Sequence, residues 1–143
     1  MNKVFYQSSL LKFIRSKNGK ALDLASGNET FVNLLLKNHW YVDSVDLKKK
    51  TSFHNTNYSF NQIDLEKTKF SKIRKKLALK KYDLIMLFRF LHRPLFRIIP
   101  LLMKKNGLFF CETFMIQHGK GKLKTKKNML LEKELFNLKS CKL

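Results

Sequence analysis

The sequence predicts an α/β domain with a mostly parallel sheet, and three stretches carry that prediction. From Lys20 to Asp46 (KALDLASGNETFVNLLLKNHWYVDSVD) an apolar run gives way to a small-residue turn, a helix-like segment and a second short strand closed by an acid. Tyr82 to Phe88 (YDLIMLF) is almost continuously apolar, as expected of a strand covered on both faces. Leu108 to Cys111 is a further apolar run that ends at Glu112-Thr113. Strand and helix patterns alternate between these stretches, with no internal repeat and no linker. At 143 residues the chain is expected to form a single domain with a real core.

Met1 to Arg15 reads as a leading helix, because Leu10, Leu11 and Ile14 share one face; Lys17-Asn18-Gly19 breaks it. The first strand (Ala21–Leu24), the turn Ala25-Ser26-Gly27-Asn28, a helix carrying Phe31, Val32, Leu34, Leu35 and Leu36, and the strand Tyr41–Val45 follow. Lys48 to Asn57 has no clear period and is expected to be loop rather than a full helix. Tyr58 to Ile63 alternates and ends at Asp64, which fits a third strand. Phe70, Ile73 and Leu77 fall at helical spacing on a basic segment. After Tyr82–Phe88, Pro94 suits the first turn of a helix that runs to Lys104-Lys105 and stops at Asn106-Gly107, kinked or split at Pro100. A Gly/Lys loop (Gly119 to Lys127) and a last helix, Asn128 to Phe136, complete the expectation. The chain thus divides into a leading helix (1–19), an α/β core (20–114) and a basic loop with a C-terminal helix (115–143).

Composition narrows the partners. With 44% hydrophobic residues the chain is no disordered polypeptide. Thirty Lys+Arg against ten Asp+Glu give a net charge of +20, a field that attracts nucleic acid without any specific site. RNA is therefore one partner to expect at the lysine-rich surface. Only five of those cations are arginine, so drift in composition toward lysine competes with selection for a partner. Two cysteines and no signal-peptide pattern point to a reducing, cytoplasmic setting. No apolar run approaches the ~20 residues of a membrane span. The four histidines lack metal-ligand spacing, so no metal site is expected.

In an open α/β sheet, the loop after the first strand lies at the strands' carboxyl ends, where nucleotide-like ligands bind. A carboxylate about 20 residues on can hold both hydroxyls of a ribose. The Lys20–Asp46 unit therefore points to an adenosine-containing cofactor. With LDLASGN (Leu22–Asn28), YDLIMLFRFLHRPL (Tyr82–Leu95) and NGLFFCETF (Asn106–Phe114) in order and at matching spacing, the chain resembles the class I S-adenosylmethionine-dependent methyltransferases. It looks closest to a bacterial branch related to tellurite-resistance-type methyltransferases.

The resemblance implies a Rossmann-like doubly wound sheet, S-adenosyl-L-methionine as cofactor, and a small-molecule or macromolecular methyl acceptor. It implies that Asp23, Ala25, Ser26 and Gly27 floor the methionine end. Asp46 would hold the ribose with Leu47 against the adenine, Asp64 and the Leu65 backbone would meet the adenine amino group, and Phe88 and Arg89 would face the reacting methyl. His92 reads either as a base for the acceptor or as a brace for the next helix. Arg93 reads either as an anion holder or as a partner of Glu112, itself a candidate general base. Asp46 and Asp64 read equally as strand-end acids satisfying turn amides, and Cys111 as packing rather than nucleophile.

Two departures stand out. The family's loop reads acidic-x-small-x-Gly-x-Gly, and here the last position is Glu29, which either turns outward or blocks the methionine end. The family also adds a closing antiparallel hairpin for which this sequence leaves only Asn137 to Leu143, so the fifth strand is expected to be an open edge unless a partner or the last helix covers it. A non-catalytic relic that binds RNA or protein is the alternative these departures raise.

Overall fold

A computed structural model of the chain describes residues 3–27, 29–48, 54–77, 81–112, 114–115 and 129–130. Side chains are described only within 10–27, 29, 31–48, 54–77 and 81–112. Helix α1 (Lys3–Ser16) leads into strand β1 (Lys20–Leu24), helix α2 (Thr30–Lys37) and strand β2 (Tyr41–Asp46). Strand β3 (Tyr58–Gln62), helix α3 (Phe70–Leu77) and strand β4 (Tyr82–Phe88) follow. A 3-10 turn (Arg93–Arg97), the short helix α4 (Ile99–Leu102) and strand β5 (Met103–Glu112) close the core.

The five strands form one sheet in the order β3-β2-β1-β4-β5, and every neighbouring pair is parallel. The chain winds outward from β1 to β3 and then returns to β4 on the other side of β1, so a crevice opens at the carboxyl ends of β1 and β4. The period of two sends alternate side chains to opposite layers. Ala21, Leu84 and Met86 pack with Leu10, Ile14, Val32, Leu35 and Trp40 of the α1/α2 layer. Leu22, Leu24, Ile85 and Leu87 pack with Ile73, Leu77, Leu95 and Leu102 of the opposite layer. Burying both faces accounts for the unbroken apolar reading of Tyr82–Phe88.

Polar groups pin the amino-terminal edge of the sheet. Asp83 accepts a hydrogen bond from the Lys20 amide at 2.9 Å and pairs with Lys104 at 2.9 Å and Lys17 at 3.4 Å. Those amine and amide partners hold the Asp83 carboxyl below its ordinary range, against the opposing effect of burial. Within the sheet the Tyr82 hydroxyl donates to Asp43 at 2.6 Å, which satisfies a buried acid; burial first, and then that bond, push the phenol's pKa upward.

Two expected elements differ. The helix expected from Pro94 to Lys105 is a five-residue 3-10 turn plus the four residues of α4. Pro100 sits at the start of α4, where its missing amide costs nothing, and so divides the segment. Lys104 then serves Asp83, and Lys104–Gly107 form an irregularity inside β5, between the pairs Tyr82↔Met103 and Leu84↔Leu108. The expected stop at Asn106-Gly107 survives as that excursion: Asn106 has φ 64, and a Cβ on Gly107 would lie 2.9 Å from the Lys104 carbonyl oxygen.

The helix expected over 128–136 is contradicted at Met129–Leu130, which form strand β7, parallel to strand β6 (Phe114–Met115). Ladder pairing of these apolar residues outweighs their helical propensity. The remaining part of that expectation, the lysine loop 119–127, Cys141 and the residues proposed to lack a hairpin lie outside the described residues. No helix among the described residues is long and apolar enough to cross a membrane.

Candidate functional site at the carboxyl ends of the strands

The turn after β1 is rich in left-handed backbone. Ala25, Gly27 and Glu29 all adopt left-handed backbone, with φ of 55, 53 and 54. The Ser26 amide donates to the Val45 carbonyl at 3.0 Å, and the Gly27 amide donates to Asp46 Oδ2 at 2.6 Å. Asp46 Oδ1 accepts from the Leu47 amide at 2.6 Å, so this one carboxylate locks the tip of β2 to the turn after β1. The nearest atom to a Cβ on Gly27 would be 3.9 Å away, so its backbone angle rather than crowding calls for glycine.

Above this turn lies a cavity of about 670 Å³. Asp23, Ala25, Ser26, Gly27 and Phe31 line it from β1 and α2, and Asp46 and Leu47 from the end of β2. Ile63, Asp64, Leu65, Glu66 and Lys67 form the wall after β3. Phe88, Arg89, Phe90 and Glu112 complete it at the ends of β4 and β5. Asp64 Oδ1 accepts the Glu66 and Lys67 amides, each at 3.0 Å, so the bland reading of this acid as a turn-former holds for one oxygen. Sequence reasoning missed Phe31, Ile63, Glu66, Lys67 and Phe90. The first-turn position of Phe31 behind the loop, and the adjacency of the others to named site residues, were the available signals.

Asp23 and Glu29 set the electrostatics. Asp23 is 3% exposed and accepts no hydrogen bond from the described residues. Burial, then the nearby Glu29 carboxylate and then Asp46, push its carboxyl up to about 8. Glu29 is 1% exposed and does not line the cavity. Its Oε1 accepts from the Tyr58 hydroxyl at 2.5 Å, while Oε2 is buried without a partner. Desolvation and that bond raise the Tyr58 phenol. Glu29 follows neither expectation: at 1% exposure it does not turn outward, and it is not part of the cavity lining but is bonded to Tyr58 of β3. The left-handed backbone at this position explains why glycine suits it in the pattern the loop resembles.

At the β4–β5 end, Arg89 is left-handed (φ 52) and its amide donates to the Glu112 carbonyl at 2.7 Å. The side chains meet loosely, Arg89 Nε to Glu112 Oε1 at 3.9 Å. Glu112 therefore faces Arg89, which directly follows β4 and reaches the paired end of β5. His92 and Arg93 do not line the cavity. His92 is the N-cap of the 3-10 turn, where its carbonyl accepts the Leu95 amide at 2.9 Å and its imidazole makes no capping hydrogen bond. Phe88 stacks on Phe31 with centroids 4.5 Å apart and lies against Phe110 at 5.4 Å. Cys111 packs against the core, and burial, with Glu112 second, pushes its thiol up to about 12, as an unreactive packing residue requires.

Solved structures share this architecture. The 1,6-didemethyltoxoflavin-N1-methyltransferase of Burkholderia thailandensis, solved with 1,6-didemethyltoxoflavin and S-adenosylhomocysteine bound, is similar at TM-score 0.62 and 18% identity, over 96% of this chain and 66% of that one. The glycopeptide N-methyltransferase MtfA complexed with S-adenosyl-L-methionine gives 0.53 and 15%, over 80% of this chain and 56% of that one. A second structure of MtfA gives 0.51 and 15%, over 91% and 63%. The fold is thus the Rossmann-like one of S-adenosylmethionine-dependent methyltransferases, and the chain spans less than two thirds of each of these proteins. No family model matches the sequence and no curated protein matches it, so nothing supports the narrower tellurite-resistance branch.

Proposed function

We propose that the chain binds S-adenosylmethionine in this cavity and transfers its methyl group to a nucleophilic acceptor. The supporting observation is the Asp46 carboxylate, clamped by the Gly27 and Leu47 amides at the mouth of a cavity between the tips of parallel strands. A carboxylate has about four acceptor positions, so two remain there for a ribose diol. The cavity volume falls in the range of cofactor sites, about 300–1,000 Å³. Asp23, buried and without a hydrogen bond from the described residues, suits a ligand ammonium. Leu47, Ile63 and Leu65 offer an apolar slot beside Asp64 for a base.

The cofactor supplies a methyl group on a sulfonium that is already a good leaving group. The chain's own task is then alignment and exclusion of water. Phe31, Phe88 and Phe90 shield the β4–β5 end, Arg89 orients the acceptor, and Glu112 takes its proton where it arrives protonated. His92 and Arg93 open the 3-10 turn and stand off the cavity lining, so neither is given a part in the transfer. Nitrogen, sulfur and oxygen acceptors, small or macromolecular, all fit this scheme, and the cytoplasmic setting and any RNA partner belong to the same proposal. The non-catalytic alternative drew on Glu29 and on the missing hairpin; Glu29 lies outside the cavity lining, and the hairpin's place in the chain lies outside the described residues. Titration calorimetry with S-adenosylmethionine and S-adenosylhomocysteine is the test: saturable heat with either supports the proposal, and silence at millimolar ligand refutes it.

A further inference from the structure

Charge is spread unevenly over this molecule. Of ten acids against thirty Lys+Arg, five (Asp23, Asp46, Asp64, Glu66 and Glu112) line one cavity, where among the described residues Lys67 and Arg89 are the cations that oppose them. A sixth, Glu29, is buried behind the turn that floors it, with Oε2 left unpartnered. Asp23 is itself 3% exposed, lines the cavity and takes no hydrogen bond from the described residues. Asp23 and the free oxygen of Glu29 are, among the described residues, the two buried carboxyl sites without a partner, and with four more exposed acids around the same hollow, in a chain of net charge +20, they favour a cation.

We infer that this acidic hollow, with Glu29 behind it, discriminates in favour of a sulfonium ligand over the neutral thioether that methyl transfer leaves. The inference rests on the cofactor reading above and makes Glu29 a specificity determinant that acts through the field rather than by contact. S-adenosylmethionine and S-adenosylhomocysteine share the adenosine, the ammonium and the carboxylate. They differ by one methyl and one positive charge. Any repulsion between Glu29 and the ligand carboxylate is common to both and cancels in the ratio of their affinities, whereas attraction for the sulfur-borne charge remains. A hollow of this kind releases its spent ligand easily, so turnover escapes strong product inhibition.

Calorimetric Kd values for both ligands, measured on the parent chain and on Glu29→Gln at low and high salt, test this. Glutamine keeps the length of the side chain and an oxygen for Tyr58. The parent should bind S-adenosylmethionine roughly tenfold or more tightly than S-adenosylhomocysteine at low salt, with the preference shrinking as salt rises. Glu29→Gln should cut that ratio by about threefold or more, mainly through weaker S-adenosylmethionine binding. If the parent binds both ligands but favours S-adenosylhomocysteine or neither, the inference is overturned and the cofactor reading stands. An unchanged ratio in a folded Glu29→Gln variant overturns it equally. Should that variant not fold, the parent's ratio and its salt dependence decide alone. Absence of heat with both ligands overturns this inference and the cofactor reading together.

Discussion

Asp23→Asn should stabilise the fold, and by an amount that grows with pH. In the unfolded chain the carboxyl titrates at its ordinary 3.8; in the fold, burial with Glu29 and Asp46 nearby raises it to about 8. Between those values the folded state keeps a proton that the unfolded state has released. Stability therefore falls as pH climbs from about 4 to about 8, and levels off above. At ~1.4 kcal/mol per pH unit the full span is worth at most about 6 kcal/mol, and relaxation with water entering from the cavity reduces it to about 3. Asparagine has nearly the same volume and no charge, so it removes this loss. Urea unfolding of parent and variant at pH 5, 6.5 and 8 measures it. The variant's advantage should be small at pH 5 and reach about 3 kcal/mol at pH 8. A difference that is flat with pH, or that favours the parent at pH 8, would refute the assignment of a raised carboxyl to this position. The same substitution should weaken S-adenosylmethionine binding, so stability and affinity move in opposite directions.

Three other outcomes follow from the geometry. Asp46→Asn leaves one of the Gly27 and Leu47 amides without an acceptor; about 1–3 kcal/mol of stability should be lost in denaturant unfolding, and affinity for S-adenosylmethionine should fall at least about tenfold by calorimetry. At position 29, Glu29→Gly should be more stable than Glu29→Ala by about 1 kcal/mol, because φ is 54 there; equal stabilities would mean the turn relaxes. Gly19→Ala places a Cβ 2.4 Å from Asp83 Oδ2 and forces Asp83 off the Lys20 amide and Lys104; about 1–3 kcal/mol should be lost by thermal unfolding, with ligand affinity unchanged.

The sheet was legible because its strands are buried on both faces, and burial writes an unbroken apolar run that no helix of this composition imitates. Tyr82–Phe88 has the bounds expected of it. The strand-end acids were legible because chain order and spacing alone place Asp46 beside the Gly27 turn. Illegible features depend on through-space partners. Nothing local announces that Lys104 will answer Asp83 and so end a helix early, or that Glu29 will find the Tyr58 hydroxyl 29 positions on. The charge asymmetry of the cavity was hidden for the same reason: its five acids lie scattered along the chain and converge only when β1, β2, β3 and β5 align. The handedness of the turn at Ala25, Glu29 and Arg89 is likewise imposed by the surrounding strands, not by residue type.

The chain contains one tryptophan, and its position makes the molecule self-reporting. Trp40 is fully buried, its indole N–H donates to the Ile14 carbonyl at 3.0 Å, and the Phe13 ring lies 6.0 Å away. Its emission colour therefore tracks whether α1 is seated on the sheet. Fluorescence during unfolding reads the detachment of the leading helix, while circular dichroism reads the sheet. Separation of the two signals would reveal that the α1 layer lets go before the strands do.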